Sequence, residues 1–310
     1  MPIDIPPGWT PLLEELGKDP RGTVYILGGT DRGKTTLCTV LQELSPGTGS
    51  VAVLDCDPGQ STVGPPATVG LRLVNLHRPL LKFVGSTSPS GHFLPLMTGA
   101  ARLHDIALQK RAGLILVDSP GYVQDEAAQE FHIRMIDLLA PQYLVGIEQE
   151  RELEPILAPF ARSGAVVHRI RPSPSVIPRN TAWRKRYREE RFAEYFRGAT
   201  LHRLPLAGLA IHGNIPRSFR QQDWIFRVVA LCDPALMVIR LAIVVSLDLR
   251  GDTLELFAPP FAPEEVSSVQ VGTLRLTFSG GELKGADTPP AEVPTESGPG
   301  DQDPGSQPQS

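Results

Sequence analysis

The run Gly28-Gly29-Thr30-Asp31-Arg32-Gly33-Lys34-Thr35-Thr36 has the spacing G-x-x-x-x-G-K-[ST], and that spacing suits one chemistry, the cradling of nucleotide phosphates. Glycines allow positive φ, which turns successive backbone N–H groups inward around an anion. Lys34 is placed to reach the β- and γ-phosphates, and the Thr35 hydroxyl to hold Mg²⁺. All nine residues from Gly28 to Thr36 are candidate nucleotide contacts. Two acidic segments follow. In Asp55-Cys56-Asp57-Pro58-Gly59-Gln60, a carboxylate can hold Mg²⁺ or take the proton of an attacking hydroxyl, and two of them at i, i+2 can divide those tasks. Gln60 can orient a nucleophile or contact a phosphate. Asp118-Ser119-Pro120-Gly121-Tyr122 ends an apolar run as D-x-x-G. Metal-binding Walker-B segments and the γ-phosphate-sensing segments of GTPases share that pattern. The N-K-x-D signature of guanine recognition is absent from the chain, which weighs against a GTPase.

Two further clusters could serve a second substrate. Gly85-Ser86-Thr87-Ser88-Pro89-Ser90-Gly91-His92-Phe93 offers N–H and O–H donors to an anion, and His92 with Phe93 can hydrogen-bond and stack. Residues 168–191 carry eight Arg or Lys against two Glu. On a helix, Arg184, Arg188 and Arg191 share one face, while Phe192, Tyr195 and Phe196 fall on another and can anchor it. A row of arginines beyond the core suits a lid over a phosphoryl group in transfer.

These segments need strands to present them. Short apolar runs at 23–27, 50–54, 80–84, 114–117, 143–147 and 165–170 alternate with helical patterns at 34–44, 95–112, 125–139, 151–163 and 181–197. That alternation predicts an α/β fold, a P-loop NTPase with a mainly parallel sheet covered by helices on both faces. Ligands in such sheets sit at the carboxyl ends of the strands. The P-loop, 55–60, 85–89 and 118–121 all follow strands and should gather on one edge. The chain divides into a Pro-rich lead-in (1–22) with a short helix near 11–16, a P-loop domain (23–199) whose lid helix spans about 180–197, a smaller β-rich C-terminal domain (200–284) and a tail (285–310). The tail has six Pro, four Gly, five acidic and no basic residues, a composition expected to be disordered.

The composition is that of a soluble globular protein, with 41% hydrophobic and 21% charged residues. No apolar run reaches the ~20 residues needed to span a bilayer, and the N-terminus has neither the basic nor the apolar region of a signal peptide. No membrane association and a reducing, cytoplasmic setting are expected. Cys38, Cys56 and Cys232 form no disulfide framework or zinc motif and sit in apolar stretches, as buried small hydrophobes do.

Together these segments resemble the polynucleotide 5′-hydroxyl kinases, the family of the RNA kinases of eukaryotic pre-mRNA and tRNA processing, the nucleolar rRNA-processing kinase and their archaeal and bacterial relatives. The motifs that carry the resemblance are G-G-T-D-R-G-K-T-T, D-C-D-P-G-Q-S, G-S-T-S-P-S-G-H-F, D-S-P-G-Y and R-Y-R-E-E-R-F-A-E-Y-F, over most of residues 20–200. The resemblance implies Mg²⁺-dependent transfer of the γ-phosphate of ATP, or of another nucleoside triphosphate, to the 5′-hydroxyl of RNA or DNA. It implies Asp57 as the base with Gln60 beside it, Arg188 and Arg191 as lid arginines and Arg184 as a substitute for one. Asp55 and Asp118 remain candidate metal ligands with Thr35. Tyr122 stands where the eukaryotic branch has a Trp that contacts the nucleic-acid end, and it joins Ser86, Thr87, Ser88 and His92 as candidate acceptor contacts. The chain starts close to the P-loop, without the eukaryotic N-terminal β domain, so no protein partner is inferred. A SIMIBI-type P-loop GTPase or ATPase acting as a switch or metallochaperone is the alternative.

Overall fold

A computed structural model describes residues 5–18, 20–43, 51–74 and 76–284. The P-loop part is a seven-stranded sheet in the order β4-β3-β2-β5-β1-β6-β7. Its strands are β1 (Gly22–Gly28), β2 (Val51–Asp55), β3 (Thr68–Leu73), β4 (Leu80–Phe83), β5 (Leu114–Asp118), β6 (Tyr143–Ile147) and β7 (Val166–Ile170). The parallel pairs are β2/β5, β5/β1, β1/β6 and β6/β7, whereas β3 runs antiparallel to both β2 and β4. Two reversals return β4 to the direction of β2. The loop after β4 therefore emerges at the same sheet edge as the loops after β1, β2 and β5.

The near-continuous apolar character of the central strands follows from burial on both faces. Tyr25 and Leu27 of β1 point into one apolar layer, with Ala52, Leu54, Ile115 and Val117. Helices α3 (Phe93–Gln109) and α4 (Glu126–Leu139) cover that layer. Val24 and Ile26 point into the other layer, with Val51, Val53, Leu114 and Leu116, under α1 (Thr10–Lys18) and α2 (Lys34–Glu43). The lead-in belongs to this second layer. Trp9 is 1% exposed, its Nε1 donates to the Arg171 carbonyl at 2.8 Å, and its ring reaches within 3.8 Å of the space beside Gly33 in the P-loop.

A six-stranded sheet forms the rest, ordered β8-β12-β11-β10-β13-β9 from β8 (Thr200–Pro205), β9 (Ala210–Gly213), β10 (Arg227–Cys232), β11 (Val238–Asp248), β12 (Thr253–Ala258) and β13 (Ser268–Arg275). It covers the otherwise open edge of the first sheet, where an unpaired strand would be a liability. Lys82 of β4 donates to the Leu236 carbonyl at 2.6 Å, and Thr273 N donates to the Gly85 carbonyl at 2.9 Å.

Some expectations shift. The helix expected over 151–163 is a single turn, α5 (Glu154–Leu157), followed by a 3-10 turn at Ala158–Phe160. Pro159, which lacks an N–H, stops the α-helical ladder from continuing past this turn, whereas Pro155 lies in the first turn, where a missing N–H is tolerated. Strands β3 and β8 escaped the apolar-run criterion because exposed Arg72 and Arg203 interrupt their short patterns, and β9 because its four residues are too few to show one. Residue 44 and the tail at 285–310 lie outside the described residues. The three cysteines are free and buried, and among the described residues no helix is long and apolar enough to cross a membrane.

Gly70 shows how tightly β3 supports the site. A Cβ at this position would lie 2.0 Å from the Val63 carbonyl oxygen, backbone that cannot swing aside. Gly70→Ala is expected to cost about 2–3 kcal/mol of stability, measured by urea unfolding. An unchanged unfolding midpoint would show that the 57–67 loop gives way freely.

Candidate active site

Three strand ends and one helix N-terminus build the site. Beyond β1 the chain turns through Asp31 (φ 57°) and Gly33 (φ 92°) into α2. That turn presents N–H groups and the positive end of a helix to one point, the geometry of an anion site. Lys34 is buried, and its Nζ donates to the Gly29 carbonyl at 3.0 Å. Thr35 Oγ1 donates to Asp118 Oδ2 at 2.5 Å. Gly121 must be glycine because a Cβ there would stand 2.7–2.9 Å from Thr30, whose Oγ1 donates back to the Gly121 carbonyl at 3.2 Å. Beneath that loop lies His132, which burial pushes down to about 3 and so keeps neutral. Its Nδ1 is 2.8 Å from the Tyr25 hydroxyl and its Nε2 is 2.9 Å from the Tyr122 carbonyl. Nε2 must therefore carry the ring proton and donate to that carbonyl, while Nδ1 accepts from Tyr25.

Asp55 and Asp118 are register neighbours at the ends of β2 and β5, with 1% and 4% exposure. Burial pushes both carboxyls above the ordinary carboxylate range; the charge of Asp55 adds to this at Asp118, while Lys34 and the Thr35 hydroxyl oppose it. Their surroundings nevertheless separate their tasks. Asp55 was expected as a metal ligand, but its oxygens are taken up by its own loop. Oδ2 accepts from Thr62 N (2.6 Å), Thr62 Oγ1 (3.0 Å) and Val63 N (3.0 Å), and Oδ1 accepts from Asp57 N (3.0 Å). Asp55 is thus the pin that fixes the 57–63 loop. Asp57 Oδ1 accepts from Gly59 N at 2.9 Å and Gln60 N at 3.0 Å, and Oδ2 has no hydrogen-bond partner among the described residues.

A cleft of about 770 Å³ joins these groups, within the range of small-molecule sites. Residues 30–36, Asp57, Gln60 and Asp118 form its floor, and Ser173, Val176, Arg179 and Trp183 its far wall. That wall leads into α6 (Thr181–Tyr195), capped by Asn180, whose side chain accepts from Trp183 N at 2.8 Å. The helix crosses the site. Arg184 Nη2 donates to Asp31 Oδ2 (2.8 Å), Tyr187 to the Ser61 carbonyl (3.1 Å) and Arg191 Nη2 to the Gly64 carbonyl (3.1 Å). The Nε groups of Arg184 and Arg191 are buried without a partner among the described residues. Arg188, an expected lid arginine, pairs with Glu282 and lies outside the cleft lining, as do Arg184 and Arg191. Arg32, expected at the phosphate, lines the cleft while its Nη2 sits 3.5 Å from Glu152.

The expected acceptor residues lie beside this cleft, not in its lining. The Thr87 carbonyl abuts Gly59 on the Asp57 turn, leaving 2.7 Å for a Cβ there. Ser86 Oγ accepts from Ser88 N at 3.1 Å, and His92 Nε2 meets Thr273 Oγ1 at 3.0 Å. The Tyr122 ring stacks on Phe93 with centroids 6.3 Å apart, and Phe93 stacks on Phe131 at 4.9 Å. Arg179 and Trp183 received no site role from the sequence. They follow β7 at the crevice edge, where strand order alone would have directed attention.

The family described as mRNA cleavage and polyadenylation factor CLP1 P-loop matches residues 28–198. The chain belongs to this family. Membership in a P-loop family implies nucleotide use, in accord with the cleft. Among curated relatives, a polyribonucleotide 5′-hydroxyl-kinase of Methanocaldococcus jannaschii is 32% identical over 201 residues, covering 62% of this chain and 55% of that protein. One of Pyrococcus furiosus is 29% identical over 200 residues, again with 62% and 55% coverage. The polyribonucleotide 5′-hydroxyl-kinase Clp1 of Gallus gallus is 27% identical over 203 residues, 58% and 47% of the two chains. The chain spans about half the length of the curated relatives it matches. A solved structure of the wild-type Clp1p–Pcf11p complex superposes with a TM-score of 0.63 at 15% identity, over 85% of this chain and 77% of the other, which shows the fold.

The raised carboxyls carry a stability cost with a definite sign. A proton that the folded pair retains has already left the unfolded chain, so stability falls as pH rises from the ordinary carboxylate range through the raised one. Asp118→Asn removes much of that dependence. Urea unfolding without added metal should find the variant more stable than wild type at pH 7.5 by on the order of 1–2 kcal/mol, with the gap closing by pH 4. A constant gap across that range would refute the assignment.

Proposed function

We propose that this protein is a polynucleotide 5′-hydroxyl kinase, which moves the γ-phosphate of ATP or another nucleoside triphosphate to the 5′-hydroxyl of RNA or DNA with Mg²⁺. Residues 23–199 form its kinase domain in this reading, and 200–284 the β-rich domain beside it. The observation that carries it is Asp57, a cleft carboxylate with one oxygen tied to its own turn and the other unpaired, beside the P-loop. A switch GTPase needs no such base, whereas transfer to a hydroxyl does. The names of the curated relatives support the same conclusion.

The residues divide the work as follows. The N–H groups of 29–34 and Lys34 hold the donor phosphates. Thr35 Oγ1 and Asp118 fit Mg²⁺, a cation that takes one or two protein oxygens and completes its shell with phosphate and water; when bound, it offsets charge on the phosphoryl oxygens. Asp57 Oδ2 takes the proton of the 5′-hydroxyl as that oxygen attacks the γ-phosphorus, and the bond to the β-phosphate oxygen breaks. Gln60 orients the hydroxyl. Arg184 and Arg191, which hold α6 to the P-loop part beside the cleft, bring positive charge towards the phosphoryl group in transfer. On the acceptor side, the Tyr122 ring, held by Phe93, stacks the terminal base, and the donors of Ser86, Thr87, Ser88 and His92 meet the following phosphates.

Label transfer from a γ-labelled nucleotide to a 5′-hydroxyl oligonucleotide tests these roles. Lys34→Ala is expected to lower both turnover and nucleotide affinity. Asp57→Asn should lower turnover by about 10²–10⁴-fold while nucleotide affinity, measured by calorimetry, stays within a few-fold. Full turnover in Asp57→Asn would remove the base from this account. Equal loss of nucleotide binding in both variants would make Asp57 a donor-side residue.

A further inference from the structure

Arg188 is the member of the arginine row that pairs outside the P-loop part. Its Nε and Nη2 donate to the two carboxylate oxygens of Glu282, Nη2 at 2.9 Å, and the two side chains are only 17% and 13% exposed. Arg184 and Arg191 bond instead to the P-loop part, to Asp31 and to the Gly64 carbonyl, and the buried Nε of each has no partner among the described residues. One helix thus joins two arginines to the P-loop part and one to the turn that follows β13.

Glu282 stands on the return limb of a tight turn that follows β13. Leu276 and Glu282 pair across it, and Thr277 N donates to the Gly281 carbonyl at 2.9 Å. The turn lies flat on α6. Gly280 has φ 93°, and a Cβ there would stand 2.6 Å from Ala193 N. Leu276 is fully buried in one apolar cluster with Phe192 and Phe196. Glu282 N donates to Glu189 Oε1 at 3.0 Å, and Lys185 donates to the same oxygen. One side of α6 therefore binds the P-loop core through Arg184, Tyr187 and Arg191, and the other binds the 276–284 turn.

We propose that Glu282 is a positioning residue for phosphoryl transfer: through Arg188 it sets where α6 lies over the cleft, whose wall the start of that helix supplies at Asn180 and Trp183. This rests on the kinase reading. A bidentate, mostly buried guanidinium–carboxylate pair is geometrically exacting, and losing one member leaves the other charge unpaired. Transfer geometry is sensitive at the scale of 1 Å, so a loosened lid shows in turnover before it shows in donor binding.

The test uses the full chain as wild type, Glu282→Gln, Arg188→Glu and the reciprocal Arg188→Glu with Glu282→Arg. Glu282→Gln is expected to lower kcat about tenfold with KM for the nucleotide within about threefold. Arg188→Glu should fall further, and the reciprocal swap should regain activity to within about threefold of Glu282→Gln. A folded swap variant as inactive as Arg188→Glu would overturn the proposal, because Arg188 would then itself be needed at the phosphate. Hydrogen exchange of residues 181–195 provides a second readout without turnover. Faster exchange in Glu282→Gln than in wild type supports the strut, and equal exchange overturns it. If wild type transfers no label, the kinase reading fails, and the exchange comparison still decides whether Glu282 holds the lid.

Discussion

The site depends on placing two carboxylates side by side in the interior, at the ends of β2 and β5. Water would normally stabilise such charges, and burial removes it. The chain meets this in two ways. Asp55 receives three N–H groups and the Thr62 hydroxyl from its own loop. Asp118 receives the Thr35 hydroxyl and lies within the field of Lys34. Each solution creates a functional feature. Folding the 57–63 loop around Asp55 fixes Asp57 at the cleft, and joining Thr35 to Asp118 aligns the first turn of α2 with β5. The remaining negative charge makes a cation welcome there, as a metal-nucleotide site requires.

The second sheet follows from the same economy of edges. Strand β3 reverses direction and leaves β4 exposed, and the second sheet covers it through Lys82, Gly85 and Thr273. That contact also ties the 85–92 loop to β13 and brings the 276–284 turn against α6. Helix α6, the 85–92 loop and the 57–63 loop thus share one support. The glycines at 70, 121 and 280 stand where these layers approach too closely for a Cβ. They explain the closeness of the layers without any appeal to flexibility.

Much of this was legible in the chain. The P-loop announces itself by spacing, and the central strands by apolar runs that end in Asp or Gly. Parallel order and a common edge follow from strand–helix alternation. The legible part ends where identity depends on three-dimensional partners. Asp55 and Asp57 look alike in sequence; only the closing of the loop back onto Asp55 separates the carboxylate held by its loop from the one that lines the cleft. Arg184, Arg188 and Arg191 share a helical face by spacing, yet Glu282, ninety-four residues beyond Arg188, ties one of them to the turn that follows β13. Strand β3 hid because Arg72 breaks its pattern, and the single-turn α5 was overread because Pro159 was outweighed by the apolar residues around it. Arg179 and Trp183 were visible as residues but had no motif, and only the position of β7 gives them a wall to build.

The central claim is that the cleft delivers a phosphoryl group to a 5′-hydroxyl. The direct measurement is a single-turnover reaction of the wild-type protein with γ-labelled nucleotide and two oligonucleotides of one sequence, one ending in a 5′-hydroxyl and the other in a 5′-phosphate. This account predicts label on the 5′-hydroxyl oligonucleotide alone. Release of labelled inorganic phosphate with no labelled oligonucleotide would contradict it.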